Sequence, residues 1–122
     1  TIVVTMSNTY AACGLVVYAL YDLVSNTPAD TDGQAAGDNN ATLTANVDIP
    51  AGGVLLGFGH SQGSNNVQTI SGVTQDSSIA IGVTRLNWGQ RIATAAETNA
   101  AVTHAGTSSA TMARIVLAAS WG

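Results

Sequence analysis

The run Ala41–Ile49, ATLTANVDI, limits the possible folds more than any other stretch of the chain. Every odd position is apolar (Ala41, Leu43, Ala45, Val47, Ile49) and every even one is polar (Thr42, Thr44, Asn46, Asp48). A strict period of two sends alternate side chains to opposite faces of an extended chain, so the run predicts a β-strand with one wet face. Pro50-Ala51-Gly52-Gly53 then stops and turns it. Val54, Leu56 and Phe58 alternate again, with Gly57 and Gly59 between and after them.

The rest of the chain repeats this grammar. Thr1–Ser7 sets Ile2, Val4 and Met6 against Thr1, Thr5 and Ser7 and reads as a strand. Leu15–Leu23 (LVVYALYDL) is apolar on both faces, which predicts a central strand buried on both sides or facing a neighbouring subunit. Val24–Asn40, rich in Ser, Asn, Asp, Gly and Pro, reads as one long loop. Weaker and stronger strands follow at Val67–Gln75 and Ser77–Trp88. Gln90–Ala101 has the alanine content of a helix, but Thr94, Thr98 and Asn99 weaken one and no cap pair is present. It is read as a strand, with Val102–Gly106 closing a hairpin on it. Ser109–Trp121 alternates as a long final strand.

About eight short strands separated by turn signals predict an all-β fold, an antiparallel β-sandwich of jelly-roll-like type. The 122 residues are read as a single domain, large enough for one core. Entry straight into a strand from Thr1 leads us to expect the C-terminal part of a longer chain.

Charged residues make up 8% of the chain, against about 25% in ordinary soluble domains. There is no lysine, and the three cations are Arg85, Arg91 and Arg114, against seven acids. Phosphate neutralisation needs clustered cations, so nucleic acid is excluded as a partner. The longest apolar run, Leu15–Leu20, is far too short to span a bilayer, so no membrane role is expected. Cys13 is the only cysteine, which rules out an internal disulfide and reads as a small buried hydrophobe.

Several residues invite a chemical reading, and each has a plainer one. Gly59-His60-Ser61-Gln62-Gly63 matches the G-x-S-x-G nucleophile elbow, and Ser61, Asp76 and His104 follow hydrolase chain order. That elbow needs a helix starting at the serine, whereas SQGSNNVQTISGV reads as a turn and a strand. No catalytic residue is therefore assigned, and the chain is expected not to be an enzyme. Asp30, Asp32 and Asp38 could offer oxygens to Ca²⁺, but from Asp30 the closing EF-hand position falls on Ala41 instead of Glu. His60 and His104 lack a third zinc ligand. No metal or cofactor is assigned. Asn40-Ala41-Thr42 is formally a glycosylation sequon. Trp88 and Trp121, with Tyr10, Tyr18 and Tyr21, could stack on a sugar, although core or interface burial suits residues so dispersed in sequence.

Four segments together resemble β-sandwich virion proteins of tailed bacteriophages and prophages: TIVVTMSNTYAACGLVVYAL (Thr1–Leu20), SNTPADTDG (Ser25–Gly33), DIPAGGVLLG (Asp48–Gly57) and AASWG (Ala118–Gly122). In that family further strands and an IGG-like turn come before the TIVVT segment. A tryptophan often stands before the G-V-T of a later strand, where this chain has Ile70-Ser71. The resemblance covers most of the chain and implies a structural or attachment role, with no catalytic residue. It implies a homo-oligomer on the virion exterior, as a capsid decoration protein or a tail-fibre or spike module, in contact with its own copies and other virion proteins.

On this reading the contacts lie at Ile2 and Val4, at Val16, Tyr18 and Leu20, and at Arg85, Arg91 and Arg114 paired with acids of a neighbour. The competing expectation is a carbohydrate- or host-receptor-binding module whose contacts are Asp30, Asp32, Asn65, Asn66 and Trp88.

Overall fold

The structure is a computed structural model that describes Thr5 and residues 15–36, 42–62, 68–82, 84–106 and 114–122. The expected strand at Thr1–Ser7, with Ile2 and Val4, lies outside these residues apart from Thr5. So do Cys13, Asp38, Asn40, Asn65 and Asn66.

Eight strands follow one another with no helix among the described residues: β1 (Asp30–Ala36), β2 (Thr42–Ile49), β3 (Val54–Gln62), β4 (Gln68–Ser71), β5 (Thr74–Ile81), β6 (Thr84–Ile92), β7 (Glu97–Gly106) and β8 (Arg114–Trp121). They form a five-stranded sheet, β1-β8-β3-β6-β5, and a three-stranded sheet, β2-β7-β4. Every pairing is antiparallel. Consecutive strands from β1 to β4 alternate between the two sheets, and so do β6, β7 and β8. This is the jelly-roll-like sandwich expected from the sequence, with β5 turned back onto β6.

Gly52 holds φ at +76°, the left-handed turn between β2 and β3 that a side chain would strain. From there the alternation of β2 and β3 carries straight into the core. Leu43, Ala45, Val47 and Ile49 on β2 meet Leu55 on β3, Ile70 on β4, Ala100 and Val102 on β7, and Val116 and Ala118 on β8. The wet face of β2 and β7 carries Thr44 and Thr103, whose hydroxyls lie 3.2 Å apart.

Five segments differ from expectation. Val67–Gln75 is not one strand, because a turn with Gly72 at φ +83° divides β4 from β5, and Ser77–Trp88 is divided between β5 and β6 by a turn with Gly82 at φ +60°. The 24–40 stretch is not all loop, because β1 occupies Asp30–Ala36 and pairs with β8 from Asp30↔Ser120 to Ala36↔Arg114. Its composition suggests a loop because this edge strand buries no large side chain and works through polar ones. Leu15–Leu23 is not a central strand: it joins no ladder and runs over the outside of the larger sheet. Its hydrophobicity comes from lying on an apolar face, which does not require hydrogen-bonded neighbours. Gln90–Ala101 is divided between the end of β6 and the start of β7 by a turn over 93–96.

The β1 side chains close one side of the sandwich. Asp30 Oδ2 accepts the Asp48 amide at 2.8 Å, Asp32 Oδ2 the Asn46 amide at 2.7 Å, and Gln34 Oε1 the Thr44 amide at 2.8 Å. Alternate side chains of one sheet's edge thus satisfy alternate amides of the other sheet's edge. These donors would otherwise present an open strand edge. Hydrogen bonds from the Asn46 and Gly33 amides hold the Asp32 carboxyl below its usual range. Replacing Asp30 and Asp32 together with alanine is expected to speed hydrogen exchange at the Asp48 and Asn46 amides. The Val102 amide in the middle of the same sheet should be unaffected.

Candidate functional site

The larger sheet carries large apolar side chains on both faces. Its inner face packs on the smaller sheet. Its outer face presents Val54, Leu56 and Phe58 from β3, Leu86 and Trp88 from β6, and Ile115, Leu117 and Trp121 from β8, as the register of β3 against β6 and β8 requires. Residues 15–23 cross this face. A groove of about 390 Å³ lies between them and the sheet, lined by Leu15, Tyr18, Phe58, Trp88, Leu117 and Trp121 among others. A second groove of about 440 Å³ continues towards Asp76, Gln90 and Gly122. The crossing segment is tied by the Tyr18 hydroxyl, which donates to Asp76 Oδ2 at 2.5 Å, and by the Val24 amide on the Gly122 carbonyl at 2.8 Å. Burial, and then the Asp76 carboxylate, push the Tyr18 phenol above its ordinary pKa.

Trp88, Trp121 and Tyr18, scattered in the sequence, thus converge on one groove. The larger sheet's register and the crossing segment bring them together, and no spacing rule in the sequence reveals it. Of the expected ligand-contact residues that are described (Asp30, Asp32 and Trp88), Trp88 alone lines the groove. Asp30 and Asp32 are bound to β2 amides at the sandwich edge. Among the expected interface residues, Val16, Tyr18 and Leu20 are half-buried, and the residues turned outward are Leu15, Val17 and Tyr21.

The three arginines, expected to reach a neighbour's acids, all lie on the inner face of the larger sheet. Arg85 and Arg91 share it with Ser61 and Leu55 through the β3–β6 register, and Arg114 is 2% exposed. Arg91 forms a two-pronged bond with Glu97 of the same chain, both contacts at 2.5 Å, and Arg85 Nη1 donates to Ser78 at 3.1 Å. The Arg91 guanidinium holds the Glu97 carboxyl below its usual range.

Between the sheets, one end of the core is polar. His104 on β7, Asn87 on β6, Ser61 on β3 and Gln68 on β4 are all buried. Asn87 Nδ2 lies 3.2 Å from His104 Nε2. The His104 Nδ1, the Ser61 hydroxyl and both polar atoms of the Gln68 amide have no hydrogen-bond partner among the described residues. The imidazole fits because β3 has glycine opposite it, and a Cβ on Gly59 would overlap the ring. Burial first, then the charges of Arg114 and His60, lower the His104 pKa to about 4. Burial also lowers that of His60.

The serine, acid and histidine of the elbow reading are not assembled. Ser61 is buried on β3 instead of standing at the start of a helix, Asp76 is bonded to Tyr18 on the outer face, and His104 Nε2 faces Asn87. No group of three or more histidines, cysteines or acids able to hold a metal occurs among the described residues. Nor is any described helix long and apolar enough to cross a membrane. Comparison with known protein families, curated proteins and solved structures finds no match to this chain.

The core histidine sets a pH dependence of known sign. Its folded-state pKa lies below the ordinary value of about 6.5, so in acid the unfolded chain takes up a proton that the folded chain refuses. The stability linked to this group is complete above about pH 6.5 and falls as the pH drops towards 4, by about 2–3 kcal/mol. Urea titrations at neutral and mildly acidic pH should show this loss, and His104→Gln should remove that part of it. Gly59→Ala, which overpacks the same site, should cost about 1–3 kcal/mol at neutral pH.

Proposed function

We propose that the chain is a non-catalytic structural module of a virion exterior, a capsid decoration protein or a tail-fibre or spike domain, acting by packing on neighbouring subunits. The observation that carries this reading is the second apolar face of the larger sheet. Among the described residues, the exposed large hydrophobic side chains all lie on that face or in and just after the segment crossing it: Leu15, Val17, Tyr21, Val24, Ile79, Ile92, Ile115 and Leu117. Soluble monomers rarely carry an apolar patch much beyond 300–600 Å², and a β-sandwich needs only one apolar face per sheet. The assignment to a virion rests on the four sequence segments above. Jelly rolls also serve in viral capsids, which is an argument from fold alone.

A second reading, a glycan-binding module, is favoured by the meeting of Trp88, Trp121 and Tyr18 in one groove, next to Asp76 and Gln90. Against it, the 390 Å³ groove has few polar atoms with which to orient a sugar.

Light scattering over a wide concentration range is expected to show self-association of the purified protein, together with a silent glycan array. A monomer at every concentration would count against the packing role. Specific glycan binding lost on Trp88→Ala would favour the second reading, and ester turnover abolished by Ser61→Ala would overturn the non-catalytic one.

A further inference from the structure

The segment crossing the larger sheet is extended and apolar on both of its sides. Val16, Tyr18 and Leu20 are half-buried in the period-two manner of a strand, whereas Leu15, Val17 and Tyr21 are 61%, 55% and 81% exposed. Residues 15–21 contain no charge and none belongs to a ladder. On the sheet itself, Ile115 and Leu117 of β8 remain 37% and 49% exposed. The described residues therefore form an apolar ridge and, next to it, an apolar floor that none of them fully covers.

We propose that the ridge of one copy packs on the floor of a second copy, and reciprocally, about a two-fold axis. Leu15, Val17 and Tyr21 of each chain then cover Ile115 and Leu117 of the other. This rests on the self-assembly reading above and names the surface responsible. A patch that holds both complementary parts is what an isologous contact requires, because residue i meets j while j meets i. Leu15, Val17, Tyr21, Ile115 and Leu117 leave on the order of 500 Å² in water, the larger part of the roughly 800 Å² that each partner contributes to a standard interface. The groove beside Phe58, Trp88 and Trp121 offers the kind of apolar hollow in which an anchoring side chain is buried.

Charge favours a second copy over an anionic lipid surface. All three arginines lie on the inner face of the larger sheet, there is no lysine, and the charged groups lining the outer grooves are Asp22 and Asp76. Membrane-surface binding draws on basic residues that this face lacks.

The test compares the full chain with Val17→Asp, Leu117→Asp and, as a control on the wet face of the smaller sheet, Asn46→Asp. Mass is followed by light scattering and fold by circular dichroism. The native chain and Asn46→Asp are expected to dimerise alike. Each of the other two should weaken dimerisation by about 100-fold or more, because an isologous interface buries each introduced carboxylate twice.

As a second arm, a Val17→Cys chain is mixed with a size-tagged Leu117→Cys chain, both carrying Cys13→Ser, and oxidised. A disulfide-linked heterodimer is expected, and this arm decides the matter if either aspartate variant loses its β spectrum. Dimers that survive both aspartate variants, or no heterodimer on oxidation, would overturn this surface while leaving self-assembly intact. A native chain that stays monomeric throughout would overturn both.

Discussion

The distance between the two sheets is set where the central strand of one meets the central strand of the other. On β7, Val102 and His104 point at β3, which has Gly57 and Gly59 at the facing positions. A Cβ at Gly57 would sit 2.8 Å from Val102, and one at Gly59 would collide with the imidazole. Large side chains on one strand thus fill hollows that glycine leaves on the other, as close packing of interiors demands. Leu55, Val116 and Ala118 then pack around this contact in the core. The cost of the arrangement is paid at its polar end, where an imidazole, a hydroxyl and two side-chain amides are buried with incomplete hydrogen bonding.

The edge of the sandwich is closed by a different kind of bond. β1 and β2 belong to different sheets, yet Asp30, Asp32 and Gln34 reach β2 amides at the spacing of successive same-face residues on two antiparallel strands. A chain with so few charges thus uses three of its seven acids as backbone acceptors, since Asp48 likewise accepts the Asn99 amide at 2.8 Å. A fourth, Glu97, is held by Arg91. Charge is kept for local architecture, which leaves few charged groups on the outer face of the larger sheet. That distribution supports our reading of the face as a contact surface, since charge would otherwise keep it in water.

Much of the scaffold was legible in the sequence. The alternation in Ala41–Ile49, the Pro-Ala-Gly-Gly turn and the strand after it appear where the period of two and the turn residues put them. The antiparallel sandwich follows from repeating that pattern. Asp30–Ala36 was not legible as a strand, because its side chains answer to backbone amides of β2 and not to a core. Leu15–Leu23 was misleading for the opposite reason: it has the hydrophobicity of a buried strand but lies on a sheet instead of within one.

Local periodicity and turn chemistry, both short-range properties, determined from the sequence alone that this is an all-β chain of short antiparallel strands. Which strands pair, which face of the larger sheet meets the smaller one, and that the arginines turn inward were decided only by tertiary structure. A face is inner or outer only relative to a second sheet. The same register that buries Leu55 and Val116 carries Arg91 and Arg114 inward with them, and leaves Leu117 and Trp88 on the outside.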